Sequence, residues 1–371
     1  MWQAKLDAQL SAQQSKQLLR SRVGINNQAS MGIVRAGKSV INFASNDYLG
    51  LAARSPTSFS GWVGSGASPL VSGYTIEQQR LEQSLCELLG FESALLFCSG
   101  FSANYALLKT LSVNFEQVVA DKLIHASMVD GIVASGAKLR RFGHNDHKRA
   151  EALMAKAQAS LLVTESVFSM DGDIAPMTQL QALCNSDSAM LIDDAHGFGV
   201  IGQHGLGACE YAKPDILVIT FGKAMGCQGA AVLASKSVTD YMQNFARHYV
   251  YSTALSPVMC NIALDAVEQI KAGEQKQKLD SNLDYFNQQA RHYGVNAVAQ
   301  TPIVPVNMAS NDSLLATQQS LLDAGFFVGA MRTPTVASPR LRLTITSEHS
   351  KLQIQGLCQA LADDVSKEQE G

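Results

Sequence analysis

The chain has 371 residues, 46% hydrophobic and 16% charged, with a formal net charge of −3. That length exceeds one typical core, and the composition belongs to a core-rich folded chain, which excludes disorder. The weak negative charge carries no global nucleic-acid signature, and no apolar stretch reaches the roughly 18 residues of a membrane span, so neither is an expected partner.

The chain opens on a Gln- and Ala-rich segment, residues 1 to about 22, with leucines and bases at helical spacing. It reads as an amphipathic helix and not as a signal peptide. The seven cysteines, Cys86, Cys98, Cys184, Cys209, Cys227, Cys260 and Cys358, are scattered, odd in number and free of any C-x-x-C. Buried thiols of a reducing, cytoplasmic protein are therefore expected, without a metal site. An extended stretch follows from Gly32 to Val40, with turn signals at Gly37 and Lys38. A Gly/Ser-rich stretch, Ser60 to Gly73, carries Trp62, Val63, Leu70 and Val71, which argue for an ordered loop near a ligand and against a flexible linker. Thr75-Ile76-Glu77-Gln78 has the form of a capping box opening a helix to about Leu89.

Short apolar runs then alternate with helical or loop segments: Ala94 to Phe97, Gln117 to Ala120, Leu161 to Thr164, Ala189 to Ile192, Ile216 to Ile219 and Ala230 to Ala234. This pattern predicts a parallel or mixed sheet wrapped by helices. A helical segment from Pro257 to about Tyr293 leads to strands over Val304 to Met308, Phe326 to Val328 and Arg340 to Thr344. Helices over Gln318 to Ala324 and Lys351 to Val365 complete a smaller region. The expected fold is α/β: a large domain over 41–256 with a mostly parallel sheet, an N-terminal helix and extended segment over 1–40, and a linking helix with a small α+β domain over 257–371.

Chemistry concentrates at two strand ends. The run Ile216 to Ile219 delivers Thr220-Phe221-Gly222-Lys223, and the run Ala189 to Ile192 delivers Asp193-Asp194-Ala195-His196-Gly197. Open α/β sheets place their sites at such ends. A lysine and an acid meeting there are what pyridoxal phosphate needs: the lysine forms a Schiff base and the carboxylate pairs with the pyridinium nitrogen. Upstream, Leu95-Leu96-Phe97-Cys98-Ser99-Gly100-Phe101 reads as strand, glycine turn and helix start, a place where backbone N–H groups hold a phosphate. A second glycine cluster, Gly202, Gly205 and Gly207, opens no obvious helix and reads as a loop.

The run Asn46-Asp47-Tyr48-Leu49-Gly50, with Ser99-Gly100-Phe101, Ile124-His125-Ala126-Ser127, Ser169-Met170-Asp171-Gly172-Asp173, the Asp193 and Lys223 motifs and Arg340-Leu341-Arg342, resembles the α-oxoamine synthases. The likeness spans nearly the whole chain in order and implies the aspartate-aminotransferase fold. Val71-Ser72-Gly73-Tyr74, Arg141-Phe142-Gly143-His144-Asn145-Asp146 and the segment Phe245 to Thr253 carry a closer likeness to the branch that condenses L-alanine with a pimeloyl thioester. Two departures are Pro69 after Gly66-Ala67-Ser68, and Ala224-Met225 after the lysine, where a Gly-Phe pair is common.

The resemblance implies that Lys223 carries the cofactor, that Asp193 faces the pyridinium nitrogen and that His196 faces the ring's 3′ oxygen. It implies that His125 stacks on the ring and donates a proton, while Ser169 and Thr220 hydrogen-bond the cofactor, Thr220 near the phosphate beside Gly100 and Phe101. Asn46, His125 and Arg342 are implied for the amino acid, with Arg342 on its carboxylate, and Arg20 and Thr335 for the acyl donor or product. Lys16, Arg20, Arg22, Lys138, Arg140 and Arg141 offer a basic face to an acidic acyl carrier protein. The active unit implied is a homodimer. The alternatives are sister synthases that use glycine or serine with other acyl thioesters, and a relative that binds the cofactor without turnover.

Overall fold

The computed structural model describes residues 1–16, 18–28, 31–54 and 61–370, with side chains as far as residue 363. Ser60, at the start of the Gly/Ser-rich stretch, lies outside the described residues.

Seven strands form the larger sheet: β4 (Ser93–Phe97), β5 (Gln117–Asp121), β6 (Leu139–Phe142), β7 (Ser160–Glu165), β8 (Ala189–Asp193), β9 (Ile216–Thr220) and β10 (Ala230–Ala234). Their spatial order is β4-β10-β9-β8-β7-β5-β6. Only β10 runs against its neighbours, so the expectation of a mixed, mostly parallel sheet holds. Because β10 is antiparallel to both β4 and β9, those two point the same way, and β4, β5, β7, β8 and β9 all end on one edge. The sequence reading missed β6, whose Leu-Arg-Arg-Phe is too polar to register as an apolar run.

Continuous apolar runs are what this architecture requires, since successive side chains point to opposite, equally covered faces. Leu96, Val119, Leu162, Ile192 and Leu217 fall in one core with Leu81 and Leu85 of helix Ile76–Leu89 and Ala263 and Val267 of helix Pro257–Ala272. Their chain neighbours Leu95, Val118, Leu161, Leu191 and Val218 fall in the other, against Leu107 of helix Gly100–Leu111 and Ile132 of helix Ala126–Ser135.

The smaller sheet has six strands: β1 (Ile25–Asn27), β2 (Gly32–Arg35), β3 (Lys38–Phe43), β11 (Ile303–Asn307), β12 (Phe326–Met331) and β13 (Arg340–Thr344), in the order β1-β2-β3-β12-β13-β11. The turn foreseen at Gly37 and Lys38 is the β2–β3 hairpin, with Ala36 and Gly37 at positive φ. Beyond it, β3 pairs in parallel with β12, Ile41 opposite Phe326, so both ends of the chain build one sheet.

Three local readings need correction. The helical segment Pro257 to Tyr293 is two helices, Pro257–Ala272 and Glu274–Tyr293, because Gly273 takes a left-handed φ of 75° that ends the first. Thr75 stands at the N-cap of helix Ile76–Leu89 but makes no side-chain cap bond. Gln78, the expected return partner, donates instead to the carbonyls of Gly73 and Leu255. The N-terminal helix ends at Ser15 and buries no residue, so its leucines form no apolar seam with the rest of the chain. No helix among the described residues is long and apolar enough to cross a membrane.

Candidate active site

The shared strand edge delivers polar groups into a cleft of about 570 Å³. Lys223 follows β9, Asp193 ends β8, Glu165 ends β7, His125 follows β5, and Ser99-Gly100-Phe101 follows β4. Asn46, Ser169, His196, Thr220 and Arg342 line the same cleft, so ten of the twelve predicted site positions fall in it, all but Arg20 and Thr335. Those two line a neighbouring cleft of about 640 Å³, which meets the first at Met331.

One end of the main cleft is a cradle formed by a helix start and the end of β9. Helix Gly100–Leu111 starts there, and N–H groups of a first helical turn lack intrahelical acceptors. Ser99 caps one of them, accepting from the N–H of Ser102 at 3.2 Å. A Cβ on Gly100 would come within 2.3 Å of Thr220 Cγ2, so only glycine lets strand end and helix start approach this closely. Among the described residues Thr220 Oγ1 is buried without a partner, an orphaned group that an oxyanion would satisfy.

At the other side Asp193 is fixed from two directions. It accepts from Asn104 Nδ2 at 2.6 Å and from the N–H of Ala195 at 3.0 Å. Its neighbour Asp194 turns away, accepting from the N–H of Ala208 at 2.9 Å and packing against Gly197 and Gly207. Burial pushes the Asp194 carboxyl up to about 7. The Gly202, Gly205 and Gly207 cluster is the loop expected, wrapped on Glu210, which accepts from the N–H groups of Gln203, His204 and Leu206. Asp193 and not Asp194 is therefore the carboxylate offered to a ligand.

Burial holds the Lys223 amine below its usual range, against the opposing pull of Asp193 and Glu165, with Arg342 lowering it further. His196 is held well below the usual histidine value by burial, then by the positive neighbours Lys223, Arg342 and His125. His125 caps helix Ala126–Ser135, with Nδ1 2.7 Å from Ser127 Oγ, and Phe101 meets its ring edge-on at 6.2 Å.

Arg340 and Arg342 share a face of β13, as the alternation predicts, yet both are buried because β13 lies between β12 and β11. Arg342 donates to the carbonyl of Ser169 at 2.6 Å, to Thr344 Oγ1 at 3.2 Å and to Asn46 Oδ1 at 3.1 Å. Arg340 is ion-paired with Asp171. The 169–173 loop is thus held by both arginines, and also by His144, whose Nε2 lies 2.7 Å from Asp173. His144 reaches Asp121 through Nδ1 at 3.3 Å, and Asn145 donates to Asp173 at 2.6 Å.

Sequence reasoning gave no role to Glu165, Asn104 and Tyr48. Glu165 was within reach of the strand-end rule that found Asp193, because it directly follows the run Leu161 to Thr164. Buried and beside Asp193, its carboxyl is held well above the usual range. Asn104 lies one helical turn beyond Gly100, on the face that carries the cradle.

The set fits pyridoxal phosphate: an orphaned hydroxyl and free N–H groups for the phosphate, a braced carboxylate for the ring nitrogen, and a buried amine within the same cleft.

The chain belongs to the family described as aminotransferase class I and II, whose model matches residues 38–361. Within that class it groups with proteins named 8-amino-7-oxononanoate synthase, as the closer likeness in its motifs led us to expect. The one from Vibrio cholerae is 40% identical over 380 residues, covering 99% of each chain. Among solved structures, the 8-amino-7-oxononanoate synthase of Francisella tularensis superposes with a TM-score of 0.77 at 28% identity, covering 89% of this chain and 99% of that one. Serine palmitoyltransferase of Sphingomonas wittichii superposes with a TM-score of 0.89 at 25% identity, covering 98% and 97%.

Proposed function

We propose that the chain condenses L-alanine with a pimeloyl thioester, releasing carbon dioxide and the free thiol carrier and giving 8-amino-7-oxononanoate, a step of biotin biosynthesis. The observation that carries this reading is the meeting of Lys223, Asp193, His196 and Arg342 in one cleft of a chain 40% identical to a named 8-amino-7-oxononanoate synthase. The cofactor is pyridoxal phosphate, which when bound joins the amino-acid nitrogen and acts as an electron sink for charge developing at Cα.

Each residue then has a task set by its surroundings. Gly100 and Phe101 offer N–H groups to the phosphate, with Thr220 and Ser169 supplying hydroxyls. Asp193, oriented by Asn104, keeps a proton on the ring nitrogen. Arg342 takes the alanine carboxylate, a task suited to a planar fork already aimed by the Ser169 carbonyl and Asn46. Lys223 has an amine whose lowered affinity for protons lets it take the Cα proton and return it. His125 covers the ring face and serves as a second proton donor. Arg20 and Thr335 would meet the acyl chain in the neighbouring cleft.

The working unit is proposed to be a cytoplasmic homodimer. Trp62, Val63 and Val71 stand 74–80% exposed on the Gly/Ser-rich loop, an apolar surface that a second copy would cover. The acyl carrier is coenzyme A or an acyl carrier protein, the latter suited to the bases of the N-terminal segment. The domain limits proposed are 1–40, 41–256 and 257–371.

A coupled assay of purified protein tests the reaction, using alanine, glycine and serine against a series of acyl thioesters. Alanine with pimeloyl thioester is expected to lead. Alanine differs from glycine by one methyl, worth roughly 1–3 kcal/mol in a pocket, so the acyl series must carry the discrimination. Faster turnover of glycine with acetyl or succinyl thioester would reassign the chain to a sister synthase.

A further inference from the structure

We propose that Tyr48 is a positioning residue whose hydroxyl holds His196 in the tautomer that carries its proton on Nε2, making the imidazole a hydrogen-bond donor toward the cofactor's ring oxygen. This rests on the function proposed above and assigns a task to a residue that reading left idle.

Tyr48 Oη lies 2.6 Å from His196 Nδ1 and 3.3 Å from Asn46 Oδ1. Both rings are buried, Tyr48 at 0% and His196 at 7% relative exposure, so water does not compete for these contacts. A phenol has one proton to give. Asn46 Oδ1 already accepts from Arg342 at 3.1 Å, and its 3.3 Å from the phenol exceeds the range of about 2.5–3.0 Å for O–H···O bonds, so the hydroxyl proton goes to the nearer partner, the imidazole.

The protonation states agree with this direction. Burial raises the Tyr48 phenol to about 12, so it remains a donor across the neutral range. The groups facing His196 from other elements are Lys223, Arg342 and His125, all of which together with burial disfavour an imidazolium. A neutral imidazole has one N–H, and with Nδ1 accepting, that hydrogen is on Nε2. The opposite arrangement, Nδ1–H donating to Tyr48, would turn an Nε2 lone pair on an electron-rich oxygen. Tyr48 also ties the two halves of the site together, since Asn46 links it to the guanidinium proposed for the alanine carboxylate.

The test uses the holoenzyme and the pH midpoint at which the bound cofactor's visible absorption band changes. A donor to an anionic oxygen favours the charged form, so removing it should raise that midpoint. Tyr48→Phe is expected to shift it upward by about one pH unit while cofactor affinity changes little, because the phosphate cradle is untouched. In a His196→Gln background the same substitution should shift it no further. Nitrogen-15 NMR of histidine-labelled wild-type holoenzyme should find the His196 proton on Nε2, a readout that does not depend on the variant folding. A midpoint unmoved in Tyr48→Phe, an equal shift in the His196→Gln background, or a proton on Nδ1 would each overturn the proposal alone. A wild-type chain that takes up no pyridoxal phosphate would overturn the functional reading and this inference with it.

Discussion

The strand edge around Lys223 and the N-terminal helix Trp2–Ser15 are opposite cases of how sequence places a residue. At the edge, Asp193 is buried and its contacts include a 2.6 Å bond to Asn104, while Arg342 donates to three residues, Thr344 on its own strand and the distant Ser169 and Asn46. In the helix no residue is buried. A side chain with several fixed partners has its position and charge state set by the fold. One without them is set by whatever the chain later meets. Function that depends on ångström placement is therefore expected from the edge, and modulation from the N-terminal arm, which comprises this helix and the exposed residues 19–22 beyond it.

The sharpest test of that contrast is Lys223→Ala, which should abolish product and remove the lysine-linked chromophore, since among the described residues no second lysine lines the cleft. Borohydride reduction should then fix no cofactor to the protein. A retained reducible bond would move the assignment to another lysine.

Asp193→Asn keeps the size of the side chain and removes its charge. A loss of at least about 10²-fold in turnover is expected, in line with removal of one electrostatic stabiliser. Deuterium exchange at the alanine Cα without acyl donor reads the same loss on the half-reaction. Near-normal exchange would show that Asn104 and its neighbours, not the charge, dominate.

His144 probes how the edge is braced from outside. Burial opposes its charge, but Asp121 and Asp173 outweigh burial and raise the imidazole from 6.5 to about 10. A folded-state value above the unfolded one means the stabilisation is complete below about pH 6.5 and is lost as pH rises through about 10. His144→Gln should therefore lower Tm most at or below neutral pH, and the gap should close toward pH 10. A gap of constant size from pH 6.5 to 10 would mean that shape, not charge, secures the 169–173 loop.

The smallest effect is expected at Arg20, an exposed residue whose removal should change stability by within about 0.5 kcal/mol. If the arm acts only on the acyl partner, Arg20→Ala will raise KM for the thioester and leave cofactor affinity alone. Weakened cofactor binding would erase the distinction between arm and edge.

What could be read from the chain beforehand divides along the same line. Lys223, Asp193 and Gly100 were legible because each follows an apolar run, and a run buried on both faces has one way to end. Arg342 was legible as one face of an alternation, but its burial was not, because that depends on β12 and β11 packing on either side. Asn104 and Tyr48 were hidden for a related reason: their partners, Asp193 and His196, lie far along the chain, and local spacing holds no record of them. The helix break at Gly273 was a missed local signal, since a lone glycine in a helical pattern also serves as a stop.

The parallel pairing of β3 with β12 sets an order of events during synthesis. Every strand of the larger sheet, and each group proposed to hold the cofactor, has been translated by the time Ala234 emerges. The smaller sheet must wait for β12 and β13 to come back to β3, a long loop closure that is slow and leaves the waiting β3 edge exposed. Arg342 arrives on the last strand to be made. A nascent chain of that length holds every group proposed for the cofactor, but it lacks both the Pro257–Ala272 helix that covers one face of the sheet and the Arg342 proposed to orient the amino acid, so a finished site waits for the C-terminal segments.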